Sequence, residues 1–283
     1  FVPALSRFEE PLDLNLVFSG HGKHLDCPTL QLANHHGLMI AGEAALSNWD
    51  AGMDMYIYGK LGNLIMTKEG INVLMTNLTG KVPPILQRLD YIRFNGEAAG
   101  YLHDLTLTGL FYTGAGMVKT DVMMSIDEQS MSRTYSGSVA SADLDLGKLL
   151  NQEKKFGKVD FNVELKGFNY KNRYPESYIK GIISSFEYSQ YQYENIMLDG
   201  VYKDGGFNGR LSMDDANGSV QIDGNFNVAK TIPDFNLKAS VKNLRPHDLH
   251  LSDKYENASI SLGLTADFTG KSIDDMNGRI SLD

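Results

Sequence analysis

Residues 206–227 read Gly206-Phe-Asn-Gly-Arg-Leu-Ser-Met-Asp-Asp-Ala-Asn-Gly-Ser-Val-Gln-Ile-Asp-Gly-Asn-Phe-Asn227. Apolar residues or glycine stand at every second position: Phe207, Gly209, Leu211 and Met213, then Val220, Ile222, Gly224 and Phe226. Between them stand Asn208, Arg210, Ser212, Gln221, Asp223 and Asn225. A period of two sends successive side chains to opposite faces of a strand, so these are two strands greasy on one face and wet on the other. Asp214-Asp-Ala-Asn-Gly218 between them has turn chemistry and makes them a hairpin.

The pattern continues on both sides. Ile196, Leu198, Gly200 and Tyr202 precede the hairpin; Val228 extends its second strand; Phe235, Leu237, Ala239, Val241 and Ile260, Leu262, Leu264, Ala266, Phe268 follow. Met197 and Val201 are the main apolar exceptions on the wet side. Upstream the register recurs at Leu12 to Phe18, Leu38 to Leu46, Met55 to Leu61, Ile71-Val73-Met75, Leu105 to Phe111 and Val159 to Leu165, with Asn63 and Gly70 read as early turns. Short turns between successive strands predict an all-β antiparallel meander. Helix is expected only at Pro83–Leu89 and Leu146–Lys154. Glycines on the greasy side at strand centres, Gly42, Gly59, Gly109, Gly200, Gly209 and Gly224, would let a sheet curl tightly toward that face, in a trough or at a barrel corner. The greasy face could equally pack on a second sheet as a sandwich.

Two internal similarities stand out. Asp104–Gly109 resembles Asn195–Gly200, offset by 91 (195 minus 104), and Asp143–Gly147 resembles Asp248–Ser252, offset by 105 (248 minus 143). Unequal offsets suit a loosely repeating meander with variable loops.

A chain of 283 residues allows one elongated sheet or two domains. No apolar run approaches the ~18–20 residues of a helical membrane span. A net charge of −9 with scattered Lys and Arg lacks the clustered basic face that nucleic acid needs. The lone Cys27 forbids an internal disulfide. Sequons at Asn77, Asn217 and Asn257 bear on function only in a secreted eukaryotic protein. With no signal peptide and strand patterns running into both ends, the chain is expected to be an internal piece of a longer protein.

No catalytic constellation is found, and the chain is expected not to be an enzyme. His21/His24 and His247/His250 have metal-like spacing, but no Cys or carboxylate cluster completes a ligand set, so no metal or cofactor is expected. The histidines are read as solvated loop residues, and Asp214-Asp215 and Asp274-Asp275 as turn carboxylates. His21-Gly22-Lys23 lacks the rest of a phosphate loop. Tyr188, Tyr191 and Tyr193 could stack on sugars or simply pack.

Gly181-Ile-Ile-Ser-Ser-Phe-Glu-Tyr-Ser-Gln-Tyr-Gln-Tyr-Glu-Asn-Ile-Met-Leu-Asp-Gly200, then Gly206-Phe-Asn-Gly209, Asp214-Asp215, Gly224, Phe226, Pro233 and Phe235, resembles the repeated unit of TamB-type proteins of the AsmA-like superfamily of Gram-negative envelope proteins. Asp143-Leu-Asp-Leu-Gly-Lys-Leu-Leu150 resembles the segment that opens such a unit. The resemblance covers residues 135–283, and residues 1–134 share its style as a further β-rich segment. It implies a β-sheet folded lengthwise into an open trough with an apolar lumen, in a protein anchored in the inner membrane outside this segment and crossing the periplasm. It further implies phospholipid traffic to the outer membrane, or an assembly role with an outer-membrane barrel partner met by parts of the protein beyond this segment.

The expected function is passive carriage of phospholipid acyl chains along the apolar interior. The expected lining is Ile196, Leu198, Tyr202, Phe207, Leu211, Met213, Val220, Ile222, Phe226, Phe235, Leu237, Val241, Ile260, Leu262 and Leu264. Each buried methylene contributes about 0.8 kcal/mol, while the absence of directed polar contacts lets a guest slide. The competing readings are a scaffold whose sheet edges template outer-membrane strands, and a structural β-sandwich module.

Overall fold

A computed structural model describes residues 11–127, 129–130, 132–169, 176–227, 230–254, 256–270 and 277–283. Sixteen strands follow one another: β1 (Asp13–His21), β2 (His24–Ala33), β3 (Leu38–Ser47), β4 (Tyr56–Thr67), β5 (Tyr91–Tyr101), β6 (Asp104–Thr113), β7 (Gly116–Ile126), β8 (Arg133–Asp145), β9 (Phe156–Asn169), β10 (Glu176–Tyr188), β11 (Tyr191–Lys203), β12 (Gly206–Asp215), β13 (Gly218–Asn227), β14 (Asp234–Leu244), β15 (Ile260–Thr269) and β16 (Asn277–Leu282). Three helices interrupt them: α1 (Lys68–Thr79), α2 (Pro84–Gln87) and α3 (Leu146–Leu150). The strands form one antiparallel meander sheet in sequence order, with β1 and β16 at its edges, so it is not closed into a barrel. The second sheet that a sandwich requires is not seen among the described residues. Val228, Asp274-Asp275 and the first residues of the chain lie outside the described set.

Two stretches differ from their sequence reading. Ile71, Val73 and Met75 belong to α1, a helix and not a strand. Ile71, Leu74, Met75 and Leu78 also have the three-and-four spacing of a helix, and the ends decide between the two periods. Thr67 caps the first turn by accepting from the Gly70 amide at 3.2 Å, and Gly80 closes the last at φ 75°. Gly70 is therefore a helix residue. Asn63 likewise marks no turn: β4 runs through it, with a bulge between Leu61 and Leu64 where Asn95 Nδ2 donates to the Gly62 carbonyl at 3.1 Å. The two other expected helices form, each shorter than anticipated.

Contacts divide the chain into two compact units, residues 1–126 with 141–153, and residues 127–140 with 154–283. In the first, α1 and the turn around α2 supply a small core in which Ile71, Leu89, Ile92 and Ala115 are buried and against which Leu64, Met66, Phe111 and Leu149 pack. The second unit is almost wholly strand.

The register places glycines opposite glycines. Gly96 faces Gly109 in the first unit, and Gly200 faces Gly209, which faces Gly224, in the second. A Cβ on Gly209 would strike the Asp199 carbonyl oxygen and Gly200 Cα of the neighbouring strand. The backbones therefore approach on the apolar side, and the sheet of each unit bends toward its greasy face there. Aromatic rings fill the space the missing side chains leave: a Cβ at Gly200 would lie 2.5 Å from Phe207 Cζ, and one at Gly109 would lie 2.5 Å from Phe94 Cε2. Gly59 is different, with nothing within 4 Å of its would-be Cβ.

The structure also realigns the second internal similarity. Asp143-Leu144 corresponds to Asn243-Leu244, an offset of 100 (243 minus 143), and not to Asp248-Leu249. Asp143 and Asn243 share a left-handed backbone, φ 52° and 49°. Gly116 and Gly218 press on Leu144 and Leu244 Cα from the neighbouring strand, where an added Cβ would lie 2.7 and 2.5 Å away. The amide of Asp145 donates to Ala115 O and that of Arg245 to Asn217 O, at 2.6 and 2.9 Å. Both strands then run into a helical turn that carries a leucine inward, Leu149 in one unit and Leu249 in the other.

Gly209→Val should destabilise the protein by about 1–3 kcal/mol through overpacking, whereas Gly59→Ala should be neutral within about 0.5 kcal/mol because the space is open. Urea unfolding of the two variants checks this contrast, and equal midpoints would remove the argument for a close approach at Gly209.

Candidate apolar groove

The ladder of the second unit lines the apolar residues up in rows that cross the strands. One row is Phe161, Ile183, Ile196, Met213, Val220, Val241 and Leu262; the next is Val163, Gly181, Leu198, Leu211, Ile222, Ala239 and Leu264. Neither row contains a polar side chain between β9 and β15. Then comes the glycine row, Gly200, Gly209 and Gly224, continued by Leu237 and Ala266. Beyond it Tyr202, Phe207, Phe226, Phe235 and Phe268 stand in line. The rings of Phe207 and Phe226 are 5.8 Å apart, and those of Phe235 and Phe268 stack at 4.8 Å. Aromatic cross-strand pairs hold such a margin together more firmly than aliphatic ones.

The expected lining residues thus share one face, but in separate rows: Leu198, Leu211 and Ile222 lie side by side, Leu237 lies in the glycine row and Leu262 one row to the other side. All of them are half-buried except Ile260, which opens β15 opposite Leu244 and is exposed. Their wet-side neighbours Asp199, Arg210, Asp223, Lys238 and Ser261 are exposed. Which side chains of each strand share the apolar face was legible in the sequence; the alignment of five aromatic residues into one margin was not, because it depends on where each hairpin sets its neighbour.

At the opposite margin, a register shift at Ser184 against β9 pairs Phe186 with Val159, two residues from Phe161, and the left-handed Asn195 stands opposite Ser184 on β11, so Phe186 and its partner Tyr193 come onto the apolar face beside Ile183 and Ile196. Tyr193 is buried, and its hydroxyl donates to the Leu249 carbonyl at 2.7 Å. Burial raises its pKa. Tyr191 is pushed up to about 12, by burial first and then by the Asp215 carboxylate that accepts its hydroxyl at 2.5 Å. Tyr188 packs between the rings of Phe156 and Phe186. Each of the three tyrosines thus has a ring partner within the protein, and the hydroxyls of Tyr191 and Tyr193 are bonded to Asp215 and Leu249.

The wet face carries a ladder of alternating charge, Glu164, Lys180, Asp199, Arg210, Asp223 and Lys238, on successive strands. Arg210 bonds Asp223 at 2.9 Å and Lys180 lies 3.6 Å from Asp199. A cavity of about 500 Å³ opens on the same face, lined by Asn162, Glu164, Lys180, Ile182, Met197 and Ser212 among others. Ile182 and Met197, directly paired, are 40% and 55% exposed there, so the exceptional Met197 of the sequence belongs to a small apolar patch on the wet side. In the first unit a cavity of about 530 Å³ is lined by Glu43, Lys60, Glu97, Thr108 and Lys119 with the backbone of Gly42, Gly96 and Gly109.

The histidines correct one expectation, since His21 and His24 lie in strands and not in a loop. His24 bonds Ser47 Oγ at 2.7 Å and Asp26 at 2.8 Å, His36 bonds Glu69 at 2.7 Å, and His103 bonds the Met53 carbonyl at 2.9 Å. No group of three or more His, Cys, Asp or Glu residues suited to a metal is found among the described residues. Asp215 serves its turn, accepting from the Asn217 amide at 2.9 Å. No described helix is long and apolar enough to cross a membrane.

Comparison of the chain with known protein families, curated proteins and solved structures finds no match.

The two faces of β12 should respond differently to substitution. Phe207→Ala removes a ring that fills the space over Gly200 and should cost about 2 kcal/mol. Arg210→Glu reverses an exposed charge and should cost no more than about 1 kcal/mol, less at high salt. Thermal unfolding at low and high ionic strength measures both, and a larger loss for Arg210→Glu would contradict the assignment of faces.

Proposed function

We propose that this chain is part of a hydrophobic conduit of the TamB type, which holds phospholipid acyl chains on the apolar face of its sheet and lets them pass across the strands. The observation that carries the reading is the pair of aliphatic rows from β9 to β15 without one polar side chain between them. A face of this extent left half-buried in a water-soluble sheet needs a guest. Methylene chains suit it, because burial supplies affinity while no hydrogen-bonding group fixes the guest in one place. In this reading the groove residues are a lining with no catalytic role, the protein works in the periplasm between inner and outer membrane, and any membrane anchor lies outside this segment.

The edges of the described sheet favour one other reading. Every residue of β1 and β16 is exposed, including Leu14, Leu16, Ile280 and Leu282. Open edges of this kind can template further strands, as a scaffold for outer-membrane protein assembly would.

One substitution separates the two. A charge in the rows is a barrier wherever it falls, because an unpaired ion in an apolar path costs several kcal/mol and draws in water. In the full-length protein, Leu211→Asp or Ile222→Arg should abolish lipid-dependent outer-membrane integrity while the protein stays folded and in place, and Arg210→Glu should leave it intact. A scaffold acting through its edges predicts the opposite ranking. Native mass spectrometry of the purified chain should also find co-purified lipid, lost in Leu211→Asp; intact membrane integrity with folded Leu211→Asp protein would end the conduit reading for this segment.

A further inference from the structure

The connection from β14 to β15 does not simply bridge two strands. Residues 246–250 coil into one turn, with the Leu249 amide bonded to Arg245 O at 3.1 Å and the Leu251 amide to Pro246 O at 2.8 Å. Leu249 is 0% exposed, while Arg245, His250, Leu251, Asp253, Lys254 and Glu256 around it are exposed. Its carbonyl is held by the Tyr193 hydroxyl at 2.7 Å, and His250 Nδ1 meets the Ser189 carbonyl at 3.0 Å. Tyr193 and Phe186 stand on the apolar face beside the first aliphatic row, so Leu249 closes the margin of the groove.

The corresponding leucine of the first unit is anchored differently. Leu149 lies in α3, which Asp145 caps at 2.8 Å; Arg88 donates to the Leu149 carbonyl, Lys148 holds Asp90, and the core of Ile71, Leu89, Ile92 and Ala115 lies behind it. Leu249 shares the position, but among the described residues the buried core cluster is that of the first unit. Among the described residues the buried Leu249, two long-range hydrogen bonds and the edge-on contact of the His250 ring with Tyr191 hold residues 246–252 on the sheet, few ties for a segment of this length and the kind that opens locally before the whole unfolds.

We propose that residues 246–252 are a displaceable stopper on the groove of the second unit: Leu249 occupies the margin beside Tyr193 when the groove is empty, and an acyl chain takes its place when the groove is loaded. The inference rests on the acyl-chain reading of the groove. Leucine and a methylene chain make the same undirected contact, so the exchange loses little burial. Its cost is the loss of the Tyr193 bond to Leu249 and of the contacts of His250 with Ser189 and Tyr191. A ligand that binds only the open form pays for opening, and any change that weakens the closed form raises its apparent affinity.

Oleate below its micellar concentration is a suitable probe, used with the whole 283-residue chain. Amide hydrogen exchange should show residues 246–252 opening faster than β11–β13 without oleate, and faster still, by about fivefold or more, when oleate is bound. Tyr193→Phe, which removes only the hydroxyl, should raise oleate affinity by about fivefold, the worth of one hydrogen bond, and Leu249→Ser should raise it at least as much. A purely structural Leu249 predicts lower thermal stability in both variants with unchanged or weaker oleate binding. Oleate bound by native mass spectrometry with exchange at 246–252 unchanged would overturn the stopper and leave the groove standing. No oleate bound to wild type or to either variant would remove the acyl-chain reading and the stopper with it.

Discussion

An apolar face that the chain covers only halfway is the condition on which the rest of this structure depends. In an ordinary all-β domain the greasy sides of two sheets meet and exclude water from each other. Here the described strands belong to one sheet, and the residues that would form the core of a sandwich remain half-buried. The sheet recovers part of that burial by bending toward its own apolar side, and the glycines are where the bend is sterically possible. The rings that lie over them serve the same end, since they return to the face the apolar area that glycine cannot provide.

The proposed function rests on what this face lacks. A binding site for a defined small molecule has a few polar groups that fix orientation, and the rows between β9 and β15 have none. The paired charges are on the other side, where Glu164, Lys180, Asp199, Arg210, Asp223 and Lys238 alternate in sign from strand to strand. Such a ladder puts opposite charges side by side at every pairing, which favours the native register and keeps the outer face solvated. Its exposed ion pairs add little stability. A sheet with one unbroken apolar face and one neutral, self-paired face is suited to a guest held by burial alone.

The two units end corresponding strands, β8 and β14, with related parts. Each has a left-handed Asp or Asn before a leucine at the strand end, a glycine pressed against that leucine from the next strand, and a helical turn that brings a second leucine inward. Where a core of Ile71, Leu89, Ile92 and Ala115 stands behind the turn it is a fixed part of the fold. In the second unit the turn is tied by Tyr193, Ser189 and the ring of Tyr191, which is the basis of the proposed displacement.

The sequence by itself determined the all-β meander, ten of its strands (β1, β3, β4, β6, β9 and β11–β15) and which of their side chains share a face, because a period of two is a local property; β2, β5, β7, β8 and β10 were not marked by it. It also placed α2 and α3, since proline at the start of one and the Asp145 cap of the other act within a few residues. It misread Ile71, Val73 and Met75, where helix and strand periods overlap and only the Thr67 and Gly80 caps distinguish them. What the tertiary structure alone decided is register across strands: the line of Tyr202, Phe207, Phe226, Phe235 and Phe268, the pairing of Gly200 with Gly209 and Gly224, the patch of Ile182 and Met197, and the burial of Leu249 under Tyr193. These depend on the sum of turn lengths and bulges over many strands, and one residue gained or lost at a bulge such as that at Ser184 moves every residue beyond it to the other face.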